Sequence, residues 1–378
     1  MAANRGEWAE LYVLFKLLGE GKIYAADENL NKDTSSYLEI IKIIREEIQN
    51  TITEYNTGLN ISIYVENELV TSIPASVFLK NADLLLNNIK TATGRTFDVA
   101  PEIVSFMKEA KIKSVKAKSV SRYKNIGGKN DIVMEIRDHS TALVSVAGFS
   151  IKAKGKSPAT LFNTAKASSF VYKIIGATDE DMENINALYT SEGGKDKNAR
   201  MAYIRDHGFT LESLGAKVLP GADYSVFHDN LDMIRGDMEE IWDNVLRIHY
   251  LSTEKNKTSL SDICTILSRE NPLKKRNPES FYKKAIKDFL YATFSGMTAS
   301  LPWDGKEVVN GGYIVAKENG DVLVYHTRDG ENFKSFLFKT TKIDRPEASE
   351  KKGYPYAHVY KVENDFFIDL NFQVRFIS

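Results

Sequence analysis

The stretch Asn130-Asp131-Ile132-Val133-Met134-Glu135-Ile136-Arg137, followed after a turn by Gly148-Phe149-Ser150-Ile151-Lys152-Ala153-Lys154, decides the reading of this sequence. It has the pattern of a β-hairpin. Ile132, Met134 and Ile136 alternate with Asp131, Val133, Glu135 and Arg137, the period of a strand with one buried face. In the second arm Val144, Val146, Gly148, Ser150, Lys152 and Lys154 share a face. Asp138-His139-Ser140-Thr141 supplies turn chemistry between the arms. A loop centred on Thr141 and Ala142 sets Asp131 opposite Lys152 and Val133 opposite Ser150, and opposite residues of an antiparallel pair point the same way. An aspartate and a lysine then meet at the open end of the hairpin. That pairing suits a Mg²⁺ phosphodiesterase, in which a carboxylate holds the metal against the scissile phosphate and a lysine steadies the attacking water or the developing charge. The hairpin alone favours the plainer account, a cross-strand ion pair worth little if exposed. The surrounding chain shifts the balance.

Upstream, Asn4-Arg5-Gly6-Glu7 has the form of a capping box, opening a helix to about Leu18 that stops at Gly19 or Gly21. Trp8, Leu11, Tyr12, Phe15 and Leu18 make its buried stripe. Glu7 and Glu10 lie three apart on a neighbouring face; either they cap and solvate the helix or one of them reaches a metal. Ser35 or Ser36 opens a second expected helix through Asn50, with Leu38, Ile41, Ile44 and Ile48 inside. Leu59 to Val65 reads as a strand, and Pro74 to Lys90 and Pro101 to Ala110 as helices with proline near the first turn. Between Lys108 and Asn130 the charge changes: Lys108, Lys111, Lys113, Lys116, Lys118, Arg122, Lys124 and Lys129 stand against Glu109, interleaved with Ser114, Ser119, Ser121 and Tyr123. A charge run is ordinarily a solvated face; next to a candidate metal site it suits a DNA backbone.

Downstream, Ser157 and Pro158 have the form of a helix start. A short helix is expected over Ala159 to Ser168, its face carrying Thr160, Asn163, Thr164, Lys166 and Ser168 and no acid. Phe170 to Gly176 reads as a strand, so a right-handed crossover to a parallel neighbour of the hairpin is expected, giving a mixed sheet. From Asp179 to Ser300 helical patterns dominate, notably Leu231 to Leu251 and Asn277 to Phe294. A second basic patch comprises Lys274, Lys275, Arg276, Lys283, Lys284 and Lys287. Pro302 to Gly312 is turn-rich. From Tyr313 the runs 313–316, 322–325, 357–360, 366–371 and 374–377 are strand-like, with Arg328, Lys334, Lys339, Lys342 and Arg345 among them.

Length and composition set bounds. The 378 residues suggest more than one domain. Boundaries are expected at 1–176, a core around the hairpin with N-terminal helical elaborations; 177–300, a helical region; and 301–378, a β-rich region. Hydrophobic content of 43% and charged content of 27% are those of a folded chain. No apolar run reaches membrane-spanning length and no signal-peptide core opens the chain, so no membrane partner is expected. The single cysteine, Cys264, excludes an internal disulfide and a cysteine-based zinc site and fits a reducing cytoplasm. A net charge of −1 means that any nucleic-acid surface arises from uneven distribution of charge.

Three segments carry a resemblance. Gly6-Glu7-Trp8-Ala9-Glu10 with Lys22-Ile23-Tyr24-Ala25-Ala26-Asp27, Gly148 to Lys152 with Ser157 to Asn163 and the Phe170 strand, and Leu370-Asn371-Phe372-Gln373-Val374-Arg375-Phe376 together resemble HpaII-type restriction endonucleases, members of the PD-(D/E)XK nuclease superfamily. The resemblance reaches both ends; the stretch from about Asp179 to Pro302 carries none of it. It implies an α+β fold with an αβββαβ nuclease core, and Mg²⁺-dependent cleavage of both strands of a short palindromic, G·C-rich site, CCGG by the family name. Asp131 matches the metal aspartate and Lys152 the motif lysine. The acid expected two residues before the lysine is replaced by Ser150, which cannot serve a hard cation as a carboxylate does. Glu7 and Glu10 are the favoured substitutes as catalytic and metal residues; Glu135, roughly 13 Å from Asp131 along a strand, is the other. Lys129, Lys154 and Lys156 are expected on neighbouring phosphates. Base reading is assigned to the helix carrying Ser157, Thr160 and Asn163 and to C-terminal loops, with Arg328 and Arg345 as guanine readers. Double-stranded DNA is the implied partner, with a second copy of the chain for a palindrome; a cytosine methyltransferase is a genetic partner only. Two other readings use the same residues: a repair or junction nuclease of the same superfamily, and a DNA-binding protein whose site Ser150 has inactivated.

Overall fold

A computed structural model of the chain describes residues 2–48, 51–94, 96–116, 130–153, 160–188, 197–253, 258–305, 311–327, 330–345 and 357–377. In order, the elements are β1 (Ala2–Asn4), α1 (Arg5–Glu20), β2 (Lys22–Ala26), β3 (Lys32–Ile48), β4 (Thr51–Asn56), β5 (Asn60–Val65), β6 (Glu68–Pro74), α2 (Ala75–Thr91), β7 (Thr96–Asp98), α3 (Pro101–Glu109), β8 (Ile132–Asp138) and β9 (Val144–Ala153). Then follow β10 (Thr160–Phe162), β11 (Phe170–Ile175), α4 (Asp179–Asn186), α5 (Lys197–Asp206), β12 (Thr210–Ala216), α6 (Val226–Ile234), α7 (Met238–Leu251), α8 (Leu260–Glu270) and α9 (Pro278–Phe294). The chain closes with β13 (Gly312–Ala316), β14 (Val322–His326), α10 (Gly330–Thr340), β15 (Thr341–Asp344), β16 (Val359–Val362), β17 (Asp365–Leu370) and β18 (Gln373–Phe376). The mixture is α+β. The chain divides into two compact units: Met1–Ser157 with Val308–Phe336 and Ser378, and Pro158–Glu307 with Leu337–Ile377. This division does not follow the boundaries expected at 176 and 300, because β13 and β14 join the sheet of the hairpin.

In the first unit, the described strands form a nine-stranded mixed sheet in the order β2-β14-β13-β9-β8-β3-β4-β5-β6, and β2 pairs with β3 as well. Six strands therefore make a closed circuit with no free edge between β2 and β3. The expected second helix is strand β3. Leu38, Ile41, Ile44 and Ile48 have helical spacing, but the residues of this stretch in the main core are Leu38, Ile40 and Ile43, their alternation reset by a bulge between Ile40 and Lys42. The β-branched isoleucines at 40, 41, 43 and 44 favour the strand. Helix α1 lies in the main core: Trp8, Leu11, Tyr12, Phe15 and Leu18 are all buried, with Ile132, Met134 and Ile136 of β8 and Ala147, Phe149 and Ile151 of β9 in the same cluster. Its ends are as read from sequence, a reciprocal Asn4–Glu7 capping box and Gly21 in the left-handed region (φ 65°).

The hairpin register differs from the expected one by two residues. Ile132 pairs with Phe149 and Val133 with Gly148. The cause is the turn: Asp138 Oδ1 accepts from Ser140 N and Thr141 N, and Asp138 N donates to Leu143 O at 3.0 Å, closing the loop one position earlier. A shift of two preserves which face each side chain occupies. The expected crossover from β9 to the Phe170 strand is not formed. The parallel neighbour of β9 is β13, with Tyr313 beside Ser150 and Val315 beside Lys152.

In the second unit β11 lies in a four-stranded antiparallel sheet, β12-β11-β17-β16, and β10-β18-β15 form another. The helix expected at Ala159 to Ser168 is replaced, in its described part, by β10 and a single 3-10 turn, Lys166–Ser168. Phe162 explains why: it is buried and stacks on Phe227 and Phe372, which a strand paired to β18 allows. Asn371 fixes the turn, its Nδ2 donating to Ala165 O and its Oδ1 accepting from Ser168 Oγ. The expected Leu231–Leu251 helix is two, α6 and α7, broken around Gly236.

Candidate active site

The site is built where the capped start of α1 meets the open end of the hairpin. Asp131 precedes β8. Its N–H donates to Phe149 O at 3.0 Å and its Oδ2 accepts from Ile151 N at 2.8 Å, so it spans Ser150 on the neighbouring strand. Lys152 follows on the same face of β9. One carboxylate oxygen of Asp131 is thus held by the backbone, which fixes the direction of the other.

Glu7 and Glu10 part company. Glu7 Oε2 accepts from Asn4 N at 2.9 Å and completes the capping box. Glu10 Oε2 is buried and has no hydrogen-bond partner, an arrangement that ordinarily costs free energy. Burial first, then the Asp131 carboxylate, pushes the Glu10 carboxyl up to about 7, while the ammonium groups of Lys116 and Lys152 oppose the rise and Glu7 adds slightly to it. The charges that act on Glu10 are therefore those of the aspartate and lysine singled out in the sequence, with Lys116 beside them. Glu135 is engaged elsewhere: Lys42 bridges it at 3.5 Å and Glu54 at 3.3 Å.

Among the described residues no group of three His, Cys, Asp or Glu side chains converges. Two carboxylates are what Mg²⁺ usually takes from a protein, water and phosphate oxygens completing its octahedron. The Asp131 carboxylate and the orphaned Glu10 Oε2 are hard oxygen donors of that kind and fit such an ion. Tyr313 was not singled out from sequence. It is buried on β13 beside Ser150, and its hydroxyl is pushed well above its ordinary pKa by burial and then by Asp131. Only the long-range pairing of β13 with β9 reveals it.

Thr160 lies on β10, where its Oγ1 accepts from Arg375 Nε at 3.3 Å, and Asn163 is exposed after the strand; neither is on a helix. Arg345 donates to His249 O at 3.0 Å and to Asn198 Oδ1 and lies over the Tyr250 ring at 4.4 Å. Lys129, Lys154, Lys156, Ser157 and Arg328 lie outside the described residues. In the first basic run Lys108, Lys111, Lys113 and Lys116 are exposed. In the second patch Lys275 pairs with Asp237, which Arg235 also bridges, Lys284 pairs with Asp288 and Lys287 is buried, whereas Lys274, Arg276 and Lys283 are exposed.

No helix among the described residues is long and apolar enough to cross a membrane. The model of the HpaII restriction endonuclease family matches residues 4–376. The chain is 34% identical over 380 aligned positions to the type II restriction enzyme HpaII of Haemophilus parainfluenzae, spanning 100% of this chain and 99% of that one. No solved structure matches.

Proposed function

The chain belongs to the HpaII restriction endonuclease family and is a site-specific deoxyribonuclease of type II, and from that premise we propose that Glu10, Asp131 and Lys152 form its cleavage centre. The reading extends to Mg²⁺-dependent cutting of both strands of a short palindromic, G·C-rich site, with CCGG suggested by the relative's family, by a chain with a PD-(D/E)XK-type core working in the cytoplasm, as two copies on a palindrome. The observation that carries it is the buried, unbonded Oε2 of Glu10 beside Asp131 and Lys152.

Asp131 and Glu10 would hold the metal ion. Once bound, Mg²⁺ supplies a Lewis acid that lowers the pKa of water and offsets phosphate charge. The remaining work falls to the chain. Asp131 is oriented by the Ile151 amide. Lys152 holds the attacking water in line with the phosphorus and stabilises the negative charge that grows on the phosphate oxygens. Ser150 contributes no charge, and Glu10 takes over the part of the missing acid. Glu7 acts through the helix start. Lys129, Lys154 and Lys156 are assigned to flanking phosphates and Arg328 to guanine. The inactivated-site reading rests on Ser150; the buried, unbonded Oε2 of Glu10 supports the active reading instead.

The test is digestion of a plasmid of known sequence with Mg²⁺, followed by sequencing of the ends. Discrete fragments whose ends map to one short palindrome are expected. Intact plasmid, or nicking confined to branched structures, would refute the reading.

A further inference from the structure

The three-stranded sheet β10-β18-β15 has two unlike faces. Val374, Ile343 and Phe162 turn to one side and are buried, Phe162 stacking on Phe372, which itself stacks on Trp242. Successive residues of a strand point to opposite faces, so Gln373 and Arg375 of β18 and Lys342 and Asp344 of β15 turn the other way. The register sets Lys342 beside Arg375 and Asp344 beside Gln373. A bulge between Thr160 and Phe162 re-aims Phe162 inwards and leaves Thr160 beside Arg375. The second face is therefore polar at all five positions, and each of these residues is half-exposed.

Asp344 organises this face. Its Oδ1 accepts from Arg345 N at 2.9 Å, which fixes the carboxylate. Its Oδ2 accepts from Gln373 Nε2 at 3.4 Å and lies 3.6 Å from Arg375 Nη1. Arg375 Nε donates to Thr160 Oγ1 at 3.3 Å. The guanidinium is thus held from two sides, and among the described residues its two terminal nitrogens make no hydrogen bond. The Arg375 and Asp344 side chains are each 37% exposed, and an ion pair so open to water contributes little stability. What it does is hold a donor fork in one orientation on an open polar surface.

A site-specific deoxyribonuclease has to tell base pairs apart, and phosphate contacts carry no sequence information. Guanine offers O6 and N7 in the major groove to a fork of the kind Arg375 presents. Gln373 and Arg375 stand two residues apart, roughly 6.8 Å along the strand, about the span of two base-pair steps. Strands are known to read base edges from within a groove. Arg345, the candidate named from sequence, is held instead by His249, Asn198 and the Tyr250 ring.

We propose that this open face reads base edges of the duplex, with Arg375 the guanine reader, Asp344 its positioning residue and Lys342 a neighbouring phosphate contact. The proposal rests on the nuclease reading and deepens it by assigning the sequence recognition.

The experiment uses the full chain, a duplex carrying the palindrome mapped by plasmid digestion, and duplexes in which each base pair of that palindrome is exchanged in turn. Affinities are measured across a salt series with Ca²⁺ in place of Mg²⁺. Arg375→Lys keeps the charge and loses the fork. It is expected to lower discrimination at one G·C pair and its symmetry mate about ten- to hundredfold, while the affinity for unrelated duplex and the salt slope stay at wild-type values. Asp344→Asn relaxes the same base pair and adds little on top of Arg375→Lys, because it acts through that side chain. Lys342→Met weakens binding to every duplex alike and lowers the salt slope by about 0.9. Melting temperatures confirm that the variants fold. An Arg375→Lys chain with wild-type discrimination at every position overturns the proposal. So does a loss spread evenly over all duplexes, which makes Arg375 a phosphate contact. In both cases the wild-type chain still cuts its palindrome and the nuclease reading stands. A wild-type chain that cuts no duplex and binds all of them alike overturns the nuclease reading and the proposal together.

Discussion

Glu10 is a carboxylate kept where its charge is disfavoured, and this has a measurable sign. Its folded-state pKa, about 7, lies above the ordinary value of 4.5. The folded chain therefore holds the proton more tightly than the unfolded one. Below the ordinary value the group exerts no penalty; as pH rises towards and through 7, stability is lost. Without divalent ions, Glu10→Gln should melt at a higher temperature than wild type at pH 8, and the difference should shrink towards pH 4.5. Equal melting curves at both pH values would show that Glu10 is ordinarily solvated. Added Mg²⁺ should raise the wild-type melting temperature by mass action, and Glu10→Gln should lose most of that rise along with its activity. Glu7 differs: its role is the cap, so Glu7→Ala should lose about 0.5–2 kcal/mol of stability while the bound complex still cuts at close to the wild-type rate. Lys152→Ala should fold normally and lose on the order of a thousandfold in single-turnover rate.

The helices and the hairpin were legible where local chemistry decides. The Asn4–Glu7 box, Gly21, Pro101 and Asn277 mark their helix ends in the sequence as in the structure. Reading failed where distant contacts decide. Isoleucines at helical spacing became β3 because a bulge resets their phase, and Phe162 became a strand residue because Phe372, far along the chain, stacks on it. At the site, Asp131, Lys152 and the Glu7/Glu10 pair were visible as residues. Which glutamate faces the aspartate was not, since both lie near one helix start. Tyr313 was hidden, since nothing near it in sequence announces a parallel partner. The closeness of that pairing is itself testable. A Cβ at Gly311 would stand 2.0 Å from the Gly148 carbonyl oxygen, and backbone cannot yield as a side chain can. Gly311→Ala should therefore destabilise the sheet by about 1–3 kcal/mol and reduce cleavage through displaced Lys152. A fully active, equally stable variant would show that β13 does not dock so tightly.

Across the whole molecule, 50 basic and 51 acidic residues nearly cancel, so DNA affinity depends on where charge remains unpaired. Exposed Lys108, Lys111 and Lys113 should each contribute about 0.9 to the slope of log affinity against log salt. Lys275 and Lys284, paired with Asp237 and Asp288, should contribute little; a fall in slope on mutating these two but not Lys108, Lys111 and Lys113 would reverse this assignment. The docking of β13 beside β9 bears finally on the timing of synthesis. The lysine-bearing strand emerges from the ribosome with an unfilled edge, and the strand that covers it follows roughly 160 residues later. At about 5–20 residues per second that interval lasts roughly 8–30 s. During it the nascent chain already holds Glu10, Asp131 and Lys152 but lacks the neighbour that steadies their framework. Ribosome-arrested chains ending before Gly311 should leave duplex DNA intact, whereas chains carrying β13 and β14 clear of the exit tunnel should gain activity. A cell making this enzyme would thereby have its chromosome exposed to finished molecules rather than to growing ones.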